Sequence, residues 1–482
     1  MSKLLKSLIL NTDSYKISMW KQLPKGTESV YSYIESRGGR YDRTVFFGLQ
    51  AFIKEYLLEP ITQADIDIAD EILTAHGEPF NREGWQYILD KHQGFLPIVI
   101  NAVPEGTVVP VKNVLATVEN TDPKVPWLTT YVETAILRAV WYGTTVATQS
   151  YTIKQVILDY LERTGDPTTI DFKLHDFGGR GVSSLESAGL GAAAHLVSFM
   201  GTDTITGVLH AREYYGSSMA GFSIPASEHS ISTSFGRDER AYALNMIEQF
   251  AKPGAIFAMV ADTYNVFEFC KMIGRDPEIR EKIDAHAKTG GMTVIRPDSG
   301  DPVEVNMKLI EILGHEFGYT VNAKGFKVLN SVRLIQGDGV NELSIRSILG
   351  AFMAMGWSAD NIAFGMGGGL LQQVDRDTQK FAMKAASTSR RVATGLREDG
   401  PFGRLEHFDI VKDPITDPGK KSKTGRVTLW DNGAGEFQSS VTQPNTWTDK
   451  GMEWKESLVL VYWNGNLHNE ITFDQVRANS RK

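Results

Sequence analysis

The sequence predicts an α/β barrel joined to a mixed α+β domain that contains both ends of the chain. Beyond Thr168, short strand-like runs alternate with helical runs until about Lys380, which is the pattern of a parallel sheet with crossover helices. The number of these units, without a reversal halfway along, favours a barrel over an open sheet. We therefore expect a barrel at residues 169–385 and a discontinuous domain with an antiparallel sheet at 1–168 and 386–482.

The expected discontinuous domain contains strands and one long helix. Residues 30–34 alternate polar and apolar side chains as a half-buried strand does, and strand-like runs recur within 96–119. The spacing of apolar residues predicts a helix over about 127–163. Strand-like runs return at 426–429 and 458–463, so the tail is expected to pack on the N-terminal sheet.

In the expected barrel, the strand-like runs end in loops that carry charged, hydroxyl or glycine residues. The loops that follow the strands of a parallel barrel lie on one face, and that face holds the active site in such enzymes. A purely structural barrel has no reason to concentrate polar groups at one end, so these loops predict a site. They are residues 175–180, 201–204, 225–229, 262–264, 296–298, 336–339 and 365–369.

The stretch 293–301, Thr-Val-Ile-Arg-Pro-Asp-Ser-Gly-Asp, is the most charged of these strand ends. Arginine can hold a phosphate by two parallel hydrogen bonds, which makes Arg296 a candidate phosphate ligand. Asp298 can accept hydrogen bonds from a sugar diol or stabilise a developing cation. Taken alone, the motif fits a structural ion pair at a strand end equally well.

Composition excludes several classes of protein. The net charge of −8 argues against a nucleic-acid binder, and no apolar run approaches the ~20 residues that span a bilayer. The single cysteine, Cys270, lies in an apolar helical run and excludes an internal disulfide. No convincing signal peptide is present, so we expect a cytoplasmic protein.

Taken in order, the motifs of the chain resemble the nicotinamide phosphoribosyltransferase family, a group of type II phosphoribosyltransferases. The resemblance runs from about residue 11 to the C-terminus, which no single short motif achieves. The matching segments are 12–16, 175–184, 201–203, 223–230, 295–300, 335–339, 361–372, 412–414 and 420–426.

The resemblance implies a reaction, a fold and an assembly. The reaction converts nicotinamide and phosphoribosyl pyrophosphate into nicotinamide mononucleotide and pyrophosphate, in NAD salvage. The fold is an incomplete or irregular (β/α) barrel with a second, mostly β (α+β) domain formed by both chain ends. The assembly is a homodimer with shared active sites at the subunit interface.

For the pyridine ring, the resemblance implies that Phe177 and Tyr15 of the other subunit stack on its two faces, with Arg296 beside it. Asp203 can accept a hydrogen bond from a carboxamide NH₂ and would repel the carboxylate of nicotinate, since a buried like-charge contact is costly. This favours nicotinamide as the substrate. Taken alone, Phe177 also fits a core position and Asp203 also fits a helix cap.

For the phosphoribosyl group, the reaction needs negative charge beside a ribose that becomes cationic and positive charge around the leaving pyrophosphate. Asp298 is the candidate for the ribose, and backbone N–H groups of glycine-rich turns can bind the 5′-phosphate. A solvated charge run is an equal alternative for the lysines beyond residue 411. The residues expected to bind phosphoribosyl pyrophosphate or the product are Arg37, Arg180, Ser223, Arg296, Asp298, Gly337, Asp338, Gly367 and Gly368. Arg376 and Lys384 are expected to contact the partner subunit's site, and Lys412 and Lys420 are candidates for contacts to nucleotide phosphates.

His229 follows Pro225-Ala-Ser-Glu228 in a loop between a strand and a helix. The resemblance implies that ATP phosphorylates this histidine and that ATP hydrolysis thereby stimulates product formation. A neutral imidazole is nucleophilic, and a carboxylate on its other nitrogen orients it; Asp262 is the candidate. A lone loop histidine is otherwise more often structural or solvent-facing. We expect Mg²⁺ to arrive with the phosphorylated substrate, and we identify no metal ligands.

The chain departs from the family pattern at three places. Ala258 and Ala382 stand where serines are expected, and the segment 387–407 is longer and more basic than expected. These departures affect individual contacts without removing the charged groups.

Three alternative functions remain open at this stage. The first is a nicotinate phosphoribosyltransferase, which a direct comparison of the two pyridines distinguishes. The second is a barrel that binds nucleotide as a regulatory protein without turnover. A metal-dependent barrel hydrolase is the third, and it would need clustered carboxylate and histidine ligands, for which the sequence offers no candidates.

Overall fold

A computed structural model describes residues 6–392, 403–444 and 453–482; part of the segment 387–407 therefore lies outside the described residues. The chain forms two compact units. The boundaries expected after residues 168 and 385 differ from the limits of these units, since the Glu133–Thr164 helix crosses the limit at residue 148 and the Phe381–Val392 strand crosses residue 385. The first unit comprises Met1–Thr148, Tyr214–Gly216 and Asp375–Lys482, and the second comprises Gln149–Glu213 and Ser217–Val374.

The second unit is built on a parallel sheet, which has six strands within the described residues. Because all the strands run in the same direction, the loops after them emerge at one edge of the sheet. Across the sheet, the strands are Gly201–Thr202, Leu174–Asp176, Ile362–Met366, Val332–Gln336, Met292–Arg296 and Ile256–Val260.

A segment without regular strand structure joins the two edges of this sheet. Phe222 forms a parallel bridge to Gly201, and Ala226 forms one to Ala258. The strand expected at 221–224 is therefore reduced to isolated bridges, because Pro225 has no N–H group to donate to a neighbouring strand. The fold class is confirmed as an incomplete, irregular barrel.

The helices of the second unit alternate with its strands, as the sequence predicts. Asp238, Asn265, Asp276, Asp301 and Asn341 cap helices by accepting hydrogen bonds from backbone N–H groups of the first turn. The helices are Leu185–Leu196, Ile205–Tyr215, His229–Ser234, Glu239–Phe250, Val266–Arg275, Pro277–Lys288, Pro302–Phe317, Glu342–Ala354 and Gly368–Leu371, with a small hairpin at Tyr319–Val321 and Lys327–Leu329.

The first unit is mostly β and is organised around an antiparallel sheet, with seven strands among the described residues. Strands from both ends of the chain contribute to it, as expected. Across the sheet, they are Arg404–Asp409, Phe381–Val392, Thr27–Ser36, Val114–Asn120, Ile98–Ala102, Val459–Trp463 and Asn466–Leu467.

Smaller sheets and helices complete the first unit. The helix expected at 127–163 is present in two pieces, and its longer piece continues past the unit boundary at Thr148. No described helix is long and apolar enough to cross a membrane. The remaining strands are Arg43–Val45 with Val108–Pro110, and Thr428–Asp431 with Phe437–Ser440 and Lys455–Glu456; the helices are Leu49–Phe52, Ile53–Leu57, Gln63–Ala75, Arg82–His92, Leu128–Tyr131, Glu133–Thr164 and Phe473–Ser480.

Candidate active site

Charged side chains from neighbouring loops meet at the carboxyl edge of the parallel sheet. Met292–Arg296 and Ile256–Val260 are adjacent parallel strands, so the residues that follow them emerge side by side. His229 Nε2 lies 2.8 Å from Asp262 Oδ1, and His229 Nδ1 lies 3.9 Å from Asp298 Oδ2. The structure therefore brings together the three residues for which the sequence predicts a catalytic role.

Asp262 is held entirely by protein groups. Its Oδ1 accepts a hydrogen bond from His229 Nε2, and its Oδ2 accepts one from Ser299 Oγ at 2.5 Å. The Asp262 side chain is only 6% exposed, whereas that of His229 is 43% exposed. Asp262 therefore orients the imidazole, and Nδ1 is the histidine nitrogen left for a reactant.

Asp298 lies in a crowded electrostatic environment. Burial raises the pKa of its carboxyl, and the negative charges of Asp262 and Asp338 raise it further, against the opposing charges of Arg296 and His229. The Nε atom of Arg296 is buried and has no hydrogen-bond partner among the described residues. A buried donor without a partner is costly to stability.

The ring of Phe177 lies so close to the backbone of Gly365 that no Cβ atom fits there. A Cβ atom at Gly365 would meet Phe177 Cε2 at 1.9 Å, and one at Gly337 would meet Asp298 Oδ1 at 2.8 Å and Phe177 Cε2 at 3.5 Å. The side chains of Phe177, Arg296 and Asp298 thus converge on Gly337, in the loop that follows the Val332–Gln336 strand.

Ala258 belongs to a small apolar cluster that packs against Phe177. It is buried together with Val294 and Ile335, and Phe177 and Ile224 pack against these residues. The position at which the resemblance implies a serine is therefore part of the apolar support for the Phe177 ring.

Asp203 faces the same edge of the sheet and is held by two side chains. Its Oδ1 accepts hydrogen bonds from His175 Nε2 at 2.8 Å and from Ser223 Oγ at 2.5 Å. Burial opposes the charge, but the hydrogen bond and charge of His175, with help from Ser223 and Arg296, lower the pKa of Asp203 below its usual value. Asp203 is therefore ionised at neutral pH.

Two glycine-rich turns lie next to each other at the sheet edge. Gly181 approaches Gly368 closely, since a Cβ at Gly181 would lie 3.1 Å from the Gly368 Cα, and a Cβ at Gly368 would meet nothing within 4 Å. Arg180 belongs to the first of these turns and is exposed. Gly367 is the N-cap of the short helix Gly368–Leu371, and the space beside the Gly368 Cα is open.

The remaining predicted residues lie in the first unit. Tyr15 is 61% exposed. Burial lowers the pKa of Lys384, and the positive charges of Arg37, Lys412 and Arg376 lower it further, with Glu133 opposing. These four cations therefore form one cluster, which we call the basic cluster. Ala382 lies within the Phe381–Val392 strand beside it, and Lys420 is paired with Asp417 at 3.1 Å.

Sequence reasoning missed the position of His175. His175 lies on the Leu174–Asp176 strand, two residues before Phe177. Because alternate residues of a strand point to the same face, this spacing indicates that His175 and Phe177 share a face of the sheet. In the described part of the chain, no group of three or more histidine, cysteine, aspartate or glutamate side chains is arranged to hold a metal ion.

Comparison with known proteins places the chain in a family. A model of the nicotinate phosphoribosyltransferase family matches residues 172–448, and a model of the nicotinamide phosphoribosyltransferase N-terminal domain matches residues 7–100. A nicotinamide phosphoribosyltransferase of Xanthomonas campestris is 52% identical, covering 99% of this chain and 98% of that protein. The chain belongs to the nicotinamide phosphoribosyltransferase family.

A more distant member agrees with this assignment, and two solved structures share the fold. The nicotinamide phosphoribosyltransferase of Acinetobacter baylyi is 32% identical, covering 96% of this chain and 95% of that protein. Nicotinate-nucleotide pyrophosphorylase from Pyrococcus furiosus shares the fold, with a TM-score of 0.62 at 16% identity, covering 100% of this chain and 96% of the other. Human nicotinic acid phosphoribosyltransferase also shares it, with a TM-score of 0.53 at 16% identity, covering 98% and 92%.

The glycine constraint in this member of the nicotinamide phosphoribosyltransferase family predicts a contrast between two substitutions. Gly365→Ala forces the Phe177 ring out of place and should destabilise the protein by about 1–3 kcal/mol, as overpacking does. Gly368→Ala is the control, because its Cβ meets nothing within 4 Å. Thermal unfolding checks this, and equal unfolding temperatures for both variants would contradict the packing described.

The raised pKa of Asp298 predicts a pH-dependent effect on stability. A carboxyl whose pKa is higher in the folded state loses favourable free energy as pH rises through that pKa. Asp298→Asn should therefore unfold at a higher temperature than the parent protein at about pH 8, with the difference shrinking towards about pH 4.5. Asp90→Asn, on an exposed helix, is the control; a destabilised Asp298→Asn with the same deficit at both pH values would refute the environment inferred for Asp298.

Proposed function

We propose that the protein transfers the phosphoribosyl group from phosphoribosyl pyrophosphate to nicotinamide, giving nicotinamide mononucleotide and pyrophosphate in NAD salvage. The observation that carries the proposal is that Phe177, Arg296 and Asp298 converge around Gly337, at the edge of the sheet that also carries the turn of Gly367 and Gly368. Phe177 offers a surface on which an aromatic ring can stack, Arg296 a positive charge for a diphosphate, and Asp298 a negative charge for a cationic ribose. Membership of the family supports the same reaction.

Pyridine selection is the task we assign to Asp203. Both of its hydrogen bonds from the described residues fall on Oδ1, so Oδ2 can accept from the carboxamide NH₂ of nicotinamide. The same ionised oxygen would repel the carboxylate of nicotinate. The ring itself stacks on Phe177, an interaction worth about 0.5–1.5 kcal/mol beyond area burial.

The chemical step requires electrostatic stabilisation of the transition state and no proton transfer. The pyridine nitrogen forms a bond to C1′ while the bond from C1′ to the pyrophosphate oxygen breaks, and the electron pair leaves with pyrophosphate. The nitrogen carries no proton, so no base is required. Asp298 stabilises the cationic ribose, and Arg296 and Arg180 hold the leaving group.

Phosphate and metal binding complete the substrate site. The turns that contain Gly337, Asp338, Gly367 and Gly368 present backbone N–H groups to the 5′-phosphate. Ser223 is assigned a contact to the product in addition to its hydrogen bond to Asp203. Mg²⁺ travels with phosphoribosyl pyrophosphate and is bound mainly by its phosphate oxygens.

ATP stimulates the reaction through His229 in this proposal. The lone pair of Nδ1 attacks the γ-phosphorus of ATP, ADP leaves, and a phosphohistidine forms that water later hydrolyses. The hydrogen bond from Nε2 to Asp262 fixes the tautomer in which Nδ1 is the nucleophile and stabilises the charged adduct. Lys412 and Lys420 are assigned to nucleotide phosphates.

We further propose a cytoplasmic homodimer with shared sites. Tyr15 is exposed, and so are Leu185, Ile205 and Leu209, which supports burial against a second copy. Tyr15 of one subunit would cover the pyridine bound to Phe177 of the other. Arg376 and Lys384 of the basic cluster would reach the phosphate in the partner subunit's site, and Arg37 would help to hold pyrophosphate. Sedimentation at a single chain mass would contradict the dimer.

The reaction is tested with purified protein, nicotinamide, phosphoribosyl pyrophosphate and Mg²⁺, with and without ATP. Mass spectrometry should show nicotinamide mononucleotide and pyrophosphate, in larger amounts with ATP. A parallel reaction with nicotinate should give much less product. More nicotinate than nicotinamide mononucleotide would identify a nicotinate phosphoribosyltransferase, and binding of nucleotide without pyrophosphate release would identify a regulatory protein.

The role of His229 predicts a separable loss of function. His229→Ala should abolish ATP hydrolysis and the acid-labile phosphoenzyme, because the only proposed phosphoryl acceptor is gone, and should leave a slower transfer that no longer responds to ATP. His315→Ala is the matched control, since that histidine is highly exposed on a helix. Full ATPase activity in His229→Ala would rule out the phosphohistidine.

A further inference from the structure

We propose that His175 is a positioning residue that sets the preference for the pyridine substrate, by fixing Asp203 with Oδ2 directed to the ligand and by supporting Phe177. The inference rests on the proposed function, since it concerns which pyridine the same site accepts. It assigns a role to a residue that does not itself need to touch the substrate.

The hydrogen bonds to Asp203 are unequal between its two oxygens. His175 Nε2 and Ser223 Oγ both donate to Oδ1, at 2.8 and 2.5 Å, and an ionised carboxylate is an acceptor only. The His175 side chain is 14% exposed and that of Asp203 is 49% exposed, so the imidazole is the more buried partner. Oδ2 is the oxygen that accepts no hydrogen bond from the described residues. Asp262 differs, because His229 and Ser299 occupy both of its oxygens.

The position of the imidazole is built into the sheet. His175 pairs with Gly201 across adjacent parallel strands, and a Cβ at Gly201 would lie 2.6 Å from His175 Nδ1. Glycine is therefore required where the ring packs. Two residues further on, the backbone N–H of Asp203 donates to the carbonyl of Asp176, which fixes the distance between the two partners.

His175 also contacts the residue assigned to stack on the pyridine. Its ring centroid lies 5.3 Å from that of Phe177, with an interplanar angle of 57°. One imidazole thus restrains both the aromatic face and the carboxylate. Loss of that imidazole should alter recognition of the pyridine ring and its substituent without touching the phosphate-binding turns.

The charge of Asp203 connects this geometry to specificity. An ionised Asp203 accepts a hydrogen bond from an amide and repels a carboxylate. A protonated Asp203 could instead donate a hydrogen bond to nicotinate, and a rotated Asp203 would no longer face the substituent of the pyridine. The charged groups that act on Asp203 include His175 and Arg296. Removing His175 leaves Arg296 in place, so the preference for nicotinamide should weaken rather than disappear.

The test compares His175→Leu with His175→Gln in the full-length protein, because glutamine keeps an N–H donor of similar reach and leucine keeps only the volume. The measured quantity is the ratio of kcat/KM for nicotinamide to that for nicotinate. His175→Leu should lower this ratio about tenfold, the effect of losing one hydrogen bond to a charged group. The loss should appear as a higher KM for nicotinamide, with the KM for phosphoribosyl pyrophosphate unchanged. His175→Gln should recover most of the ratio.

Several outcomes would overturn the inference. An unchanged ratio in a folded His175→Leu would do so, and so would equal losses in the leucine and glutamine variants. A rise in the KM for phosphoribosyl pyrophosphate that matches the rise for nicotinamide would indicate a general structural role and would also overturn it. Failure of the proposed function is distinguishable, because the parent protein itself would then form no mononucleotide from either pyridine.

Discussion

The site depends on how negative charge is crowded around Asp298. Its carboxylate is half-buried between Asp262 and Asp338, and the charges of Arg296 and His229 oppose this repulsion. Such an arrangement is unfavourable in an empty site, and it becomes favourable when a cationic group develops beside it. In the proposed reaction the oxocarbenium-like ribose is such a group, and the positive charge of Arg296 complements the departing anion.

Glycine makes this concentration of side chains possible. Gly365 and Gly337 leave space for Phe177 and Asp298, and Gly201 leaves space for His175. Each lies on a barrel strand or directly after one, where the backbone of one strand approaches side chains of the next. The side chains proposed to stack on the pyridine, to select it and to stabilise the ribose are therefore held by the edge of the sheet, and the turns of Gly337 and Gly367, proposed to bind phosphate, lie at the same edge.

The sequence predicts the barrel, its helices and the meeting of His229, Asp262 and Asp298, because alternation of strands and helices places all strand ends on one edge. It does not predict which carboxylate oxygen is occupied, since that depends on side-chain geometry across strands. His175 was missed for this reason, although its motif was recognised. The unit limit at residue 148 lies inside the Glu133–Thr164 helix, where no change in composition marks it. The isolated bridges at Phe222 and Ala226 replace an expected strand because Pro225 cannot donate a backbone hydrogen bond.

The most direct test of the central claim is a crystal structure of the protein with nicotinamide mononucleotide. The account predicts the pyridine ring on Phe177, the carboxamide at Asp203 Oδ2, the ribose hydroxyls at Asp298 and the 5′-phosphate at the turns of Gly337 and Gly368. A nucleotide bound elsewhere, or one stacked on Phe177 with its ribose directed away from Asp298, would contradict this account.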